Sequence, residues 1–245
     1  PVEVFGRTKF ACIGEGSFPL TLAPYGFFWF VLEGAGLPGA DEPPVRHLNG
    51  TWTEVLRRSP ALARSLAAWL PERRWFSAKE RTLRDVSVED VVPLRRADAR
   101  SDGEAAGPEL ALIVARASFT EGDDQRYSVG VLHATGQLAA TLPNVAPGAI
   151  IARLDDGLMV DAMAVPDGVL ALTGAALSKR VRNGRHGKAH GAPRRARASR
   201  ELPPAAQVHV LGTEQSNSSA ILNGTMIANL VRRLEPAPNR DADLP

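Results

Sequence analysis

The strongest constraint on this chain lies near its end, where two apolar runs, Ala220 to Leu222 and Met226 to Val231, flank the pair Asn223-Gly224. A tight type I′ turn needs positive φ at both central positions, and Asn followed by Gly meets that need at little steric cost. The pattern predicts two antiparallel strands. The segment before them, Gly212-Thr213-Glu214-Gln215-Ser216-Asn217-Ser218-Ser219, has no large apolar residue and reads as a loop. Small residues let a backbone approach a ligand, and hydroxyls and amides can donate to phosphate oxygens. Gln215, Ser216, Asn217, Ser218 and Ser219 are therefore candidate phosphate contacts, although a polar loop before a hairpin is more often only a loop.

The totals set the frame. At 245 residues, 44% hydrophobic and 23% charged, the chain can build one large domain or two small ones. Its formal net charge of +2 gives no global reason to expect a nucleic acid or a membrane surface as partner. A single cysteine, Cys12, forms no internal disulfide, and no apolar stretch reaches the roughly 18 residues of a membrane span. A cytoplasmic location is the expectation. The chain opens on Pro1 and strand-like sequence, so it reads as an excerpt of a longer polypeptide.

Taken in order, residues 1–33 are rich in Phe, Gly and Pro, and Leu20 to Leu32 predicts two strands broken at Pro24-Tyr25-Gly26. Aromatic runs in strands are core more often than sugar platforms. Residues 33–44 collect Gly, Pro, Asp and Glu, the composition of a linker and a domain boundary. Thr51 and Glu54 have capping-box spacing, and Ser59-Pro60 places a cap residue before a first-turn proline, so two short helices follow. The second carries Leu62, Leu66, Trp69 and Leu70 as an inward stripe and stops before Pro71. Arg73-Arg74-Trp75-Phe76-Ser77-Ala78-Lys79 reads as an amphipathic turn with Trp75 and Phe76 in the core, in preference to an anion site.

From Val86 to Ala162 the pattern is β. Leu110 to Phe119 faces Arg126 to Leu132, and Ala149 to Leu154 faces Leu158 to Ala162. Asp123, Asp124, Asp155 and Asp156 sit at the two turns, where aspartates commonly bond their own backbone, and no metal is assigned to them. Pro166 opens a helix to Leu177, weakened by Gly168 and Gly174. Lys179 to Arg200 is basic, Gly- and Ala-rich and without an acidic residue. A solvated linker is the expectation, since a nucleic-acid arm would carry interleaved aromatics. His186 and His190 have metal-ligand spacing only in a helix, which Gly184, Gly187 and Gly191 oppose.

Three stretches carry a resemblance. Glu214-Gln215-Ser216-Asn217-Ser218-Ser219, the hairpin, and Arg232-Arg233-Leu234-Glu235-Pro236 resemble the opening of the kinase lobe of bacterial maltokinases, ATP-dependent enzymes that make maltose 1-phosphate. Arg74-Trp75-Phe76-Ser77-Ala78-Lys79 resembles the signature of the maltokinase N-terminal cap domain. Residues 1–33 look like the last strands of the β-domain of trehalose synthases, and this order is that of natural fusions of the two enzymes. The implied fold is α+β: 1–33 the end of an amylase-type β-domain, 34–48 a linker, 49–178 a cap of short helices and antiparallel sheet, 179–204 a basic flexible linker, and 205–245 the start of a kinase-like ATP lobe.

The resemblance implies ATP and Mg²⁺ as cofactors, maltose as acceptor and a trehalose synthase domain in cis. It places Gln215 to Ser219 on the ATP phosphates and Asn229 where the family carries a lysine, with Arg232 the nearest other cation. The metal-binding carboxylate and catalytic aspartate would belong to a second lobe, so no catalytic residue is assigned and the excerpt alone is expected to be inactive. Other readings are a non-catalytic cap module docking the fused enzymes, trehalose synthase as the parent activity, and a nucleic-acid binder acting through the basic run.

Overall fold

The computed structural model describes residues 2–3, 20, 27, 30–31, 46–57, 59–95, 108–192, 202–211 and 217–235. The chain divides into two compact units, Pro1–Pro43 and Pro44–Pro245. In the first, β1 (Val2–Glu3) pairs antiparallel with β2 (Phe30–Val31). The end of the aromatic run is thus a strand, and it pairs with the start of the segment. The expected break at Pro24-Tyr25-Gly26 lies outside the described residues.

The second unit is α+β and layered. It contains α1 (Trp52–Arg57), α2 (Ser59–Trp69), β3 (Leu83–Arg95), β4 (Leu110–Phe119), β5 (Gln125–Ala134), α3 (Gly136–Val145), β6 (Ile150–Leu154), β7 (Gly157–Asp161) and α4 (Pro166–Leu177). Then come β8 (Val181–Asn183), β9 (Lys188–His190), β10 (Val208–Leu211), β11 (Asn217–Leu222), β12 (Met226–Val231) and β13 (Arg233–Leu234). The main sheet runs β3-β4-β5-β7-β6, and β13 also pairs with β5. Side chains alternate across a strand, so Ala111, Ile113, Ala115, Ala117 and Phe119 of β4 join Tyr127, Val129 and Val131 of β5 in the core under α1 and α2. Leu110, Leu132 and Ala134 face the other way, toward α3 and α4. A second sheet, β10-β11-β12, packs on the far side of α4, with Val208, Ala220 and Leu222 against Val169.

The stripe Leu62, Leu66, Trp69, Leu70 is buried, as is the pair Trp75 and Phe76. Arg73, however, turns back: its Nε and Nη1 donate to the carbonyls of Trp69 and Gly148, closing the end of α2. At the start of α1, Glu54 accepts from Thr51 N at 2.9 Å, half of the expected capping box. The next donors are met from afar. Asp155 accepts from Gly50 N at 2.7 Å and Asp156 from Trp52 N at 3.0 Å. These turn aspartates therefore bond the entry to a helix rather than their own backbone, because the β6–β7 turn abuts donors that lack intrahelical partners.

Two departures concern segments judged by composition. Residues 136–145 fall within the stretch read as β, yet α3 forms there, with Gly136 at φ +55° and Leu142 buried. Residues 46–48, placed in the linker, instead lie along β6: Arg153 N donates to Arg46 O and Leu48 N to Arg153 O, both at 2.9 Å.

The larger departure is the basic run. Over Val181–His190 it is no extended linker but a hairpin, β8 paired with β9. One carboxylate ties it down. A register shift between Val88 and Asp90 bulges β3 and re-aims Asp90, whose oxygens accept from the backbone N–H groups of Arg185 (2.6 Å), His186 (3.3 Å), Gly187 (2.6 Å) and Val91 (2.8 Å). Burial acts to raise the Asp90 carboxyl, but the donors of Arg185, Gly187, His186 and Val91 outweigh it and hold it below the ordinary aspartate range. A lowered value in the folded state means that the tie stabilises above the unfolded aspartate pKa of about 3.9 and fades as pH falls through the lowered value.

Asp90→Ala removes the charged acceptor of the hairpin's backbone donors, and a hydrogen bond to a charged group is worth about 1.5–3 kcal/mol. Native trypsin digestion read by mass spectrometry should then show cleavage after Arg182, Arg185 and Lys188 rising by about tenfold or more, since about 1.4 kcal/mol is one decade in the open population. Equal rates in the two proteins would mean that Asp90 does not hold the hairpin.

Candidate functional site: one face of the β11–β12 hairpin

Asn223 and Gly224 have φ of +48° and +63°, as the turn pattern requires. Thr225 N donates to Leu222 O at 3.2 Å, and Leu222 pairs with Met226, so the loop holds three residues instead of two. β11 begins at Asn217, which makes the last three residues of the polar segment strand rather than loop.

That shift decides which candidate side chains share a face. Asn217 lies opposite Val231, Ser219 opposite Asn229, and Ile221 opposite Ile227, all on the outer face of the hairpin. Ser219 Oγ donates to Asn229 Oδ1 at 3.3 Å; Ser219 is buried and Asn229 exposed. Ser218 belongs to the opposite face with Ala220 and Leu222, because successive side chains in a strand alternate. Its Oγ accepts from Arg232 Nε at 2.8 Å. Of the six residues singled out in the sequence, the structure brings Asn217, Ser219 and Asn229 together and turns Ser218 away. Gln215 and Ser216 lie outside the described residues.

Arg232, the nearest other cation, is enclosed. It is 1% exposed, its Nη2 donates to Asp161 Oδ1 at 2.9 Å and Oδ2 at 2.7 Å, and its guanidinium lies 4.4 Å from the centre of the Trp75 ring. Among the described residues Nη1 has no hydrogen-bond partner. Asp161 also accepts from Met163 N at 3.1 Å. The main chain is pinned as well: Ser128 N donates to Arg232 O at 2.7 Å and Ser128 Oγ to Val231 O, after which β13 sets Arg233 opposite Tyr127. Arg232 is thus committed to an internal ion pair and does not offer its charge to the outer face. Asp161 carried no signal in the sequence, since nothing in local spacing links it to a residue 71 positions away. Trp75 and Arg232, taken from two separate motifs, stack on each other.

An apolar cleft of about 370 Å³ borders the hairpin, lined among others by Leu112, Met163, Leu172, Met226, Ala228 and Asn229. Chemically the outer face offers two amides, groups able to donate to phosphate oxygens without bringing formal charge, while the Ser219 hydroxyl already donates to Asn229. Among the described residues no group of three or more His, Cys, Asp or Glu could hold a metal ion, so no residue is assigned to Mg²⁺.

Residues 69–164 match the family model described as the maltokinase N-terminal cap domain. The matched stretch runs from the end of α2 through the Trp75 turn and the strands β3 to β7, and it includes Asp161. That match makes residues 69–164 similar to a maltokinase N-terminal cap domain.

Proposed function

We propose that the chain is part of an ATP-dependent kinase that phosphorylates maltose at its anomeric hydroxyl, yielding maltose 1-phosphate and ADP. The observation that carries this reading is the cap-domain match together with a strand hairpin, clamped to that cap, whose outer face sets Asn217, Ser219 and Asn229 side by side. In the transfer, the bond from the γ-phosphorus to the β–γ bridging oxygen breaks, a bond to the sugar oxygen forms, and the hydroxyl proton is released. Asn229 Oδ1 accepts from Ser219, which leaves the Asn229 amide hydrogens to donate on the other side, toward a phosphate. Mg²⁺, when bound with ATP, neutralises charge that develops on the phosphates.

The wider setting belongs to the same proposal: the cytoplasm as location, and a trehalose synthase domain in cis, for which the resemblance of residues 1–33 and the β1–β2 pair are the support. A second reading has one observation in its favour. With a neutral amide at 229 and Arg232 sealed by Asp161, these strands provide no cation for the phosphates, as a non-catalytic cap module would tolerate.

The natural gene product, assayed for maltose-dependent ADP release, separates the two. Formation of maltose 1-phosphate supports the kinase, whereas ATP and maltose left unchanged overturn it. Asn229→Lys is expected to raise kcat/KM by roughly a hundredfold or more, since one charged contact to the transferring group is worth about 3 kcal/mol. Folding stability should change little because position 229 is exposed. A fast Asn229 enzyme that Lys does not improve would mean that this position does not face the phosphates.

A further inference from the structure

Between the outer-face residues and the cap lies a single guanidinium. Arg232 follows β12 directly and touches three elements at once: Ser218 on β11 through Nε, Asp161 at the end of β7 through Nη2, and the face of Trp75. Asp161 is 4% exposed, so neither partner is screened by water and the contacts are directional. Ser128 of β5 holds only the end of β12, through Val231 O and Arg232 O; otherwise β11 and β12 meet the cap side through apolar packing of Ala220, Leu222 and their neighbours on α4. Apolar packing is non-directional and by itself does not fix the pitch of a strand pair.

Resting on the reading of this hairpin as nucleotide-facing, we propose that Arg232 and Asp161 are positioning residues, through which the cap sets the pitch of β11 and β12 and so the orientation of Ser219 and Asn229 toward the phosphates. The geometry makes the coupling short. Ser218, which Arg232 holds, adjoins Ser219, and Ser219 bonds Asn229 across the strand pair. A rotation of β11 that releases Ser218 from Arg232 also turns Ser219 away from Asn229.

The test uses the whole chain as wild type, Arg232→Met, and the double variant Asp161→Leu/Arg232→Met, with ATP and Mg²⁺ as the probe. Nucleotide affinity, the thermal midpoint and hydrogen exchange of the β11 and β12 amides are measured for each. Arg232→Met should weaken ATP binding by tenfold or more and speed exchange in β11 and β12 by tenfold or more. The double variant should regain the thermal midpoint, because an apolar pair often replaces a buried ion pair at no loss. Its affinity and exchange should stay at the level of the single variant. If affinity and protection return with the midpoint, Arg232 and Asp161 serve packing alone and the proposal falls. A wild-type chain with no affinity for ATP overturns the nucleotide reading, and exchange then judges the clamp alone: unchanged β11–β12 protection in Arg232→Met overturns that too.

Discussion

Asp161→Ala is expected to lower folding stability by about 3–5 kcal/mol, the cost of removing one partner from a buried ion pair. The substitution leaves the Arg232 guanidinium 1% exposed with neither Nη group paired to a carboxylate, and it also takes the acceptor from Met163 N. The contrast lies on the same sheet. Arg126 and Glu89 form an ion pair at 2.7 Å, but their side chains are 53% and 30% exposed, and such pairs contribute about 1 kcal/mol or less. Urea unfolding of Asp161→Ala and Glu89→Ala therefore ranks the two sites by burial rather than by distance. A loss below about 1 kcal/mol at Asp161 would mean that water reaches Arg232 and that the clamp is not closed.

The second large effect is at Gly168. A Cβ there would lie 2.2 Å from Ala162 O and 2.6 Å from Ala162 Cα, both backbone atoms, so the first turn of α4 would have to leave the turn after β7. Gly168→Ala is expected to destabilise by about 3 kcal/mol, at the upper end for overpacking. Gly174, in the same helix, has as its nearest neighbour a Leu202 methyl at 3.4 Å. There Ala should stabilise, by up to about 1 kcal/mol, through helix propensity alone. Thermal midpoints moving in opposite directions for the two substitutions would establish the difference. Movement in the same direction would show that α4 shifts freely against the main sheet.

Local patterns were legible and long-range pairings were not. The α2 stripe, the two antiparallel hairpins and the helix opened by Pro166 all follow from periodicity within a short window, and they appear at or near the expected residues. What the window does not contain is the partner across the fold: Asp161 for Arg232, Asp90 for the β8–β9 turn, Asp155 and Asp156 for the entry to α1. Glycine was the main source of error because it has two opposite meanings. Gly184, Gly187 and Gly191 marked a linker by composition, yet a Cβ on Gly184 would come within 2.6 Å of the Asp90 carboxylate and one on Gly191 within 1.6 Å of Ser178 O. Glycine there permits close approach rather than flexibility. The face of the candidate site turned on a similar point. Asn217 to Ser219 have loop composition, and once they are strand, alternation moves Ser218 to the opposite side from Ser219.

The strand β5 has one edge on β4 and its other edge divided, residues 131–134 against β7 and 126–127 against β13. The last rungs of the cap's sheet therefore come from residues 233–234, far beyond the stretch 69–164 that matches the cap family. As the chain leaves the ribosome, that edge stays open until the strand past the β11–β12 hairpin has emerged. A polypeptide trimmed at 164 would keep the N–H and C=O groups around Arg126 to Ser128 unpaired, a template on which a second chain can add. The segment after β12 thus acts as a built-in guard against aggregation for the domain that precedes it.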